Sequence, residues 1–130
     1  MTRERAEPFT LGPVHVDARG SLVELDFRRL PFVPKRVFLV EGAEAGCVRG
    51  GHAHKRCRQI LVCVRGIVSV EAAGPDGPET HELRSPAEAL LVPARVWSRQ
   101  IYREAGSRLL VLASHYYDPD SYIVGGADQS

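Results

Sequence analysis

The sequence has little cysteine, no excess of charge and no long apolar run. Its three cysteines, Cys47, Cys57 and Cys63, are odd in number and form no CxxC pair. A disulfide framework is therefore not expected, and a reducing cytoplasm suits the chain. Lys and Arg total 17 against 16 Asp and Glu, a formal net charge of +1. That balance argues against electrostatic capture of a nucleic-acid polymer or a membrane surface. The longest apolar runs are residues 60–64 and 109–113. Both are far short of the roughly 20 residues that span a bilayer. Residues 1–8 carry no apolar core, so no signal peptide is expected. No internal repeat, low-complexity stretch or long helical period is present. What remains is a 130-residue chain, 44% hydrophobic and 25% charged. That is the composition of one soluble globular domain, expected to span residues 1–130.

Short β-type runs broken by turn residues dominate. Residues 21–27 alternate, with Val23, Leu25 and Phe27 on one face. Residues 36–41 follow Pro31 and Pro34 as a β-rich run. Residues 59–64, Arg65-Gly66 and residues 67–73 read as a hairpin. Gly74-Pro75-Asp76-Gly77-Pro78 is a strong turn signal. Residues 79–83, 88–92, 97–102 and 108–114 are further strands, and a helical turn at 85–88 is too short to matter. Turns recur about every 8–12 residues, the spacing of a sandwich or barrel. The predicted fold is all-β, a jelly-roll barrel or sandwich. Residues 1–10 read as a loose lead-in and residues 125–130 as a flexible tail.

Of five histidines, only His52 and His54 form a constellation. Two residues apart, they share one face of a strand. Their frame is Gly46, five residues, His52-x-His54, four residues, Gln59, six residues, Gly66. It resembles the first motif of the cupin superfamily, in which two His and a Glu bind metal. A second cupin motif, PxGxxH, would supply a third His. Here that stretch reads Pro93-Ala94-Arg95-Val96-Trp97-Ser98. Gln59 and Ser98 thus replace a carboxylate and an imidazole, and an amide and a hydroxyl are poor ligands for first-row divalent metals. A metal-free site without a cofactor is expected, leaving two imidazoles for proton transfer near neutral pH. Arg49-Gly50-Gly51 stands just before them. On an undisturbed strand Arg49 has the opposite parity to His52; a bulge at the glycines would bring it to the same side. Arginine there suits bidentate phosphate binding. Asp17-Ala18-Arg19-Gly20 is a turn whose arginine is a second candidate anion clamp.

Taken together, these pieces resemble one family. In order, they are Asp17-Ala18-Arg19-Gly20-Ser21-Leu22, Pro31-Phe32, Lys35-Arg36-Val37-Phe38 and Arg49-Gly50-Gly51-His52-Ala53-His54-Lys55. Then come Gln59-Ile60-Leu61-Val62, Val96-Trp97, Val111-Leu112-Ala113-Ser114 and Tyr117-Asp118-x-x-x-Tyr122-Ile123. The pattern looks like the WxcM-like sugar-nucleotide 3,4-ketoisomerases, cupins acting on dTDP-4-oxo-6-deoxy-D-glucose. The resemblance implies a jelly-roll homodimer with no metal, its N-terminal strands candidates for exchange. It implies migration of a ketone from C4 to C3 through an enediolate. His52 and His54 fall on the family's catalytic histidines, with His54 the provisional base and the reverse order open. Arg19, Arg36, Arg49, Gln59, Trp97 and Ser98 are the expected substrate contacts. Ser98 stands where relatives often have His, and Phe38 and Leu39 stand where they have tyrosines.

Two other enzyme readings and a binding reading compete. A deoxysugar 3,5-epimerase uses similar DxRG and RGxH segments. A cupin that binds a sugar nucleotide without turnover would tolerate Phe38 and Ser98. A metal-dependent cupin runs against the ligand count.

Overall fold

The computed structural model of the protein describes residues 4–124. The strands are β1 (Glu7–Thr10), β2 (Val14–Asp17), β3 (Gly20–Val23), β4 (Arg36–Glu41), β5 (Cys47–His54) and β6 (Gln59–Arg65). They continue as β7 (Val68–Gly74), β8 (Gly77–Leu83), β9 (Glu88–Val92), β10 (Ser98–Tyr102), β11 (Arg108–Ala113) and β12 (Tyr122–Val124). Among the described residues, the helical elements are two 3-10 turns, Phe27–Arg29 and Pro119–Ser121. One antiparallel sheet runs β1-β9-β6-β11-β4, and a second runs β12-β5-β10-β7-β8. From β4 on, successive strands change sheet at every step except the β7–β8 hairpin. That winding makes the jelly roll.

The core lies between the sheets. Leu61 and Cys63 of β6, Leu109 and Val111 of β11, and Val68 and Val70 of β7 meet there. The outer face of the first sheet carries a second apolar cluster, with Ile60, Val62, Ala89 and Leu112 covered by Leu11 and Phe32. This explains the unbroken run at 60–64. Alternate side chains of β6 go to opposite faces, and both faces are dry. Ile60 is 0% exposed and Leu61 is 1% exposed.

Several expectations change here. Residues 59–64 and 67–73 do not form a hairpin, because β6 and β7 belong to different sheets. A run buried on both faces signals a central strand but not its partner. The turn at Pro75-Asp76 does close a hairpin, with Gly74 opposite Gly77. The lead-in is not loose throughout. β1 pairs with β9, and Ala6 and Leu11 on either side are each 2% exposed. Its sequence, Glu-Pro-Phe-Thr, has too few apolar residues to announce a strand, and Pro8 is tolerated because β1 is an edge. The alternating run at 21–27 ends early. Asp26 accepts a hydrogen bond from the Arg28 backbone N–H at 3.0 Å and turns the chain into a 3-10 turn. The three cysteines are free. The tail predicted at 125–130 lies outside the described residues.

Candidate functional site

The jelly roll places a cavity of about 190 Å³ between the two sheets. β5 contributes Arg49, His52 and His54, β4 contributes Arg36, and β6 contributes Gln59. β10 adds Ser98, Gln100 and Tyr102, and β12 adds Tyr122. Phe38, Val40, Leu61, Leu109 and Val111 form the apolar lining.

The parity problem at Arg49 is solved by a bulge. β10 pairs Ser98 with His52 but Arg99 with Gly50, so Gly51 is the extra residue. Gly50 and Gly51 have φ of +90° and +85°, backbone that side chains rarely adopt. A Cβ on Gly50 would sit 2.8 Å from the Gln100 Oε1 and 3.1 Å from the Arg99 Cα. The two glycines therefore do a job no other residue does, and Arg49 joins the histidines in one cavity.

The imidazole centroids of His52 and His54 are 5.1 Å apart. His54 is 9% exposed, and its Nδ1 is buried with no hydrogen-bond partner among the described residues. Burial, then the neighbouring His52 and Arg36, pushes its pKa down to about 4. Burial also lowers that of His52. Both rings are thus neutral at pH 7, each with a lone pair and an N–H. Burial pushes the Tyr102 phenol up to about 12, so its hydroxyl stays protonated.

The arginines differ in their availability. Arg36 lies over the Phe38 ring at 5.0 Å and the Tyr117 ring at 5.6 Å. Among the described residues, neither Arg36 nor Arg49 has an ion-pair partner. Arg99, one residue out of phase, is held by Glu71 at 3.0 Å. A cavity with two uncompensated guanidinium groups invites an anion.

Two expected contacts stand elsewhere. Trp97 does not line the cavity, because Ser98, Gln100 and Tyr102 take the inward parity of β10. Its carbonyl accepts from the Ala73 N–H at 2.9 Å, and its Nε1 is buried without a partner among the described residues. Arg19 tips the β2–β3 ribbon, with its side chain 90% exposed and bonded to Asp17 at 2.6 Å. Conversely, Tyr122, Tyr102, Gln100 and Phe38 line the cavity and were not among the expected contacts. Tyr122 and Phe38 do stand in the motif strings; Gln100 and Tyr102 carry no sequence signal beyond strand parity.

The donor set does not fit a resident metal. His52 and His54 converge with an amide, Gln59, and a hydroxyl, Ser98. The described residues hold no cluster of three His, Cys, Asp or Glu side chains that would bind an ion.

A jelly roll whose cavity presents neutral imidazoles and free guanidinium groups is a cupin suited to proton transfer on an anionic substrate. The chain belongs to the FdtA family (WxcM-like, C-terminal), which it matches over residues 9–128. It is 39% identical over 111 residues to the TDP-4-oxo-6-deoxy-alpha-D-glucose-3,4-oxoisomerase of Aneurinibacillus thermoaerophilus, covering 83% of this chain and 78% of that one. The sugar 3,4-ketoisomerase QdtA from Thermoanaerobacterium thermosaccharolyticum, solved with TDP, superposes with a TM-score of 0.84 at 32% identity, covering 91% of this chain and 86% of that one. The TDP-quinovose 3,4-ketoisomerase WlaRB from Campylobacter jejuni superposes at 0.83 with 30% identity, covering 95% of each chain. Epimerases share the fold alone, at 20% and 18% identity.

Proposed function

We propose that the protein is a sugar-nucleotide 3,4-ketoisomerase acting on TDP-4-oxo-6-deoxyglucose. The observation that carries this is the His52–His54 pair at 5.1 Å, sharing one cavity with two unpaired arginines. Ketone migration needs a neutral base, a proton relay and an anion clamp, and those are the groups present.

The chemistry follows from the substrate. The C4 carbonyl acidifies the proton on C3. His54 removes that proton, the C3–H electron pair becomes a C3–C4 double bond, and the carbonyl oxygen becomes an oxyanion. His52 stabilises that oxyanion and gives it a proton. His52 then takes the proton of the C3 hydroxyl, the double-bond pair passes to C4 as the C3 oxygen becomes the carbonyl, and protonated His54 delivers its proton to C4, which returns both imidazoles to neutral. A well-placed donor to the developing oxyanion contributes about 3–4 kcal/mol. Arg36 and Arg49 hold the diphosphate, and its charge raises the proton affinity of both imidazoles once substrate is bound. Gln59 and Ser98 contact the sugar.

The proposal includes a homodimer. Val37 and Leu39 project from β4, 52% and 63% exposed, beside the apolar cluster on the outer face of that sheet. β2 is exposed along its length, and a two-stranded ribbon alone is marginal. Arg19 serves a site only if its ribbon packs on a second copy. No helix among the described residues is long and apolar enough to cross a membrane. A cytoplasmic place of action belongs to the proposal.

The test is proton NMR of the protein with TDP-4-oxo-6-deoxyglucose in D2O. Loss of the C3 proton with appearance of a 3-keto hexose is the expected result. Exchange at C3 and C5 without ketone migration would make it an epimerase. Saturable binding without exchange would make it a binding cupin.

A further inference from the structure

Catalytic imidazoles are usually oriented by a hydrogen bond from one ring nitrogen to a third group. That group is missing here. Among the described residues, the imidazole with a side-chain hydrogen bond is His115, which contacts Ser114 at 2.7 Å. His54 Nδ1 has no partner among them. The protein contacts that hold the two rings are therefore packing contacts.

Tyr122 is in place to do it. Its ring centroid is 4.5 Å from that of His52 and 4.7 Å from that of His54. With the 5.1 Å between the imidazoles, the three rings close a compact triangle, each tilted against the others by 43–56°. The chain delivers this ring with care. Asp118 accepts from the Asp120 N–H at 2.9 Å and caps the turn Pro119–Ser121. The Ser121 carbonyl then accepts from the Lys55 N–H at 2.7 Å. β12 follows at once and pairs with β5 so that Tyr122 stands opposite His54. Directly opposed residues of an antiparallel pair have side chains in contact range.

We propose that Tyr122 is a positioning residue, its ring holding the His52 and His54 imidazoles in their working arrangement and keeping water from them. β12 is then part of the catalytic apparatus and not a trailing strand. This rests on the reading of the cavity as a proton-transfer site. The other groups facing the pair are Arg36 from β4, Arg49 from β5 and Tyr102 from β10; β6 and β11 present Gln59 and aliphatic side chains that do not titrate. Loss of the Tyr122 ring leaves those charges in place and changes only packing and hydration.

The test compares Tyr122→Phe with Tyr122→Ala in the full chain. Turnover is read as kcat and KM, and the histidine C2–H resonances are titrated without substrate. Tyr122→Phe keeps the ring, so kcat and both titrations stay near those of the parent. Tyr122→Ala lowers kcat about 100-fold, the size expected for reacting groups misplaced by about 1 Å. KM changes less, and both imidazole titrations move up toward their ordinary value as water enters. If Tyr122→Ala does not fold, Tyr122→Leu, which is smaller than tyrosine and has no flat face, leaves room for water beside the imidazoles and is expected to show the same two changes. Equal losses in Tyr122→Phe and Tyr122→Ala would overturn the proposal, since the hydroxyl would then be the working group. So would parent-like titration and kcat in Tyr122→Ala or Tyr122→Leu. The titration needs no substrate, so it decides the role of Tyr122 even if the ketoisomerase reading fails.

Discussion

His54 combines two properties that pull in different directions. Burial keeps it neutral, which a base requires, and the same burial lowers its proton affinity. In the proposed mechanism substrate binding resolves the conflict, because the diphosphate held by Arg36 and Arg49 brings negative charge near both rings. The folded protein bears the consequence at low pH. His54 has a folded pKa of about 4 against an ordinary 6.5, so the unfolded chain binds more protons between those values. Stability is whole above pH 6.5 and falls as pH drops toward 4. His54→Asn is expected to abolish ketone migration while leaving the fold intact. Asn does not titrate, so urea midpoints measured across that pH window are expected to fall less steeply than in the parent. Parent-like turnover in the variant would remove His54 from the mechanism.

At the scale of elements, the loop before β10 carries a strained residue. Arg95 has φ of +69°, the sole non-glycine residue at positive φ among the described residues. Its backbone N–H donates to the His54 carbonyl at 2.6 Å, so the loop is pinned to the histidine strand. The left-handed conformation costs an ordinary residue about 1–2 kcal/mol. Glycine avoids that but loses more freedom on folding, about 0.5–1 kcal/mol. Arg95→Gly is therefore expected to stabilise by roughly 0.5–1 kcal/mol. A thermal melt would show a rise of a few degrees, with kcat unchanged. A lower Tm would mean that the Arg95 side chain makes a contact worth more than the strain. The cupin motif's glycine falls at this position, so the strain was legible in the sequence once the motif was aligned. The bulge at Gly50-Gly51 was legible in the same way, as a parity conflict between Arg49 and His52. The sheet crossing after β6 was not. Alternation within a strand reports which faces are buried, and it is silent on which strand lies alongside.

At the scale of the whole molecule, the proposed homodimer rests on the exposed apolar face of β4. Leu39 and Val37 are exposed on an edge strand, and edge strands with bare apolar side chains promote association. Leu39→Asp puts a charge on that face without touching the cavity. The expected outcome is a shift from dimer to monomer by light scattering, with the monomer still folded. A Leu39→Asp protein that keeps the parent's mass in solution would place the interface elsewhere.

The sequence alone determined the β class, the histidine pair and its glycine frame, the loss of a metal's donor set, and the family. These are local patterns: a period of two, a spacing, a substituted ligand. The resemblance also grouped Arg36 and Gln59 with the histidines; only the tertiary structure set Trp97 outside that cavity and Arg19 on an exposed ribbon, and closed the ring triangle with Tyr122. Those contacts join strands far apart in the chain, and their partners are chosen by packing and sheet register, which no local pattern records.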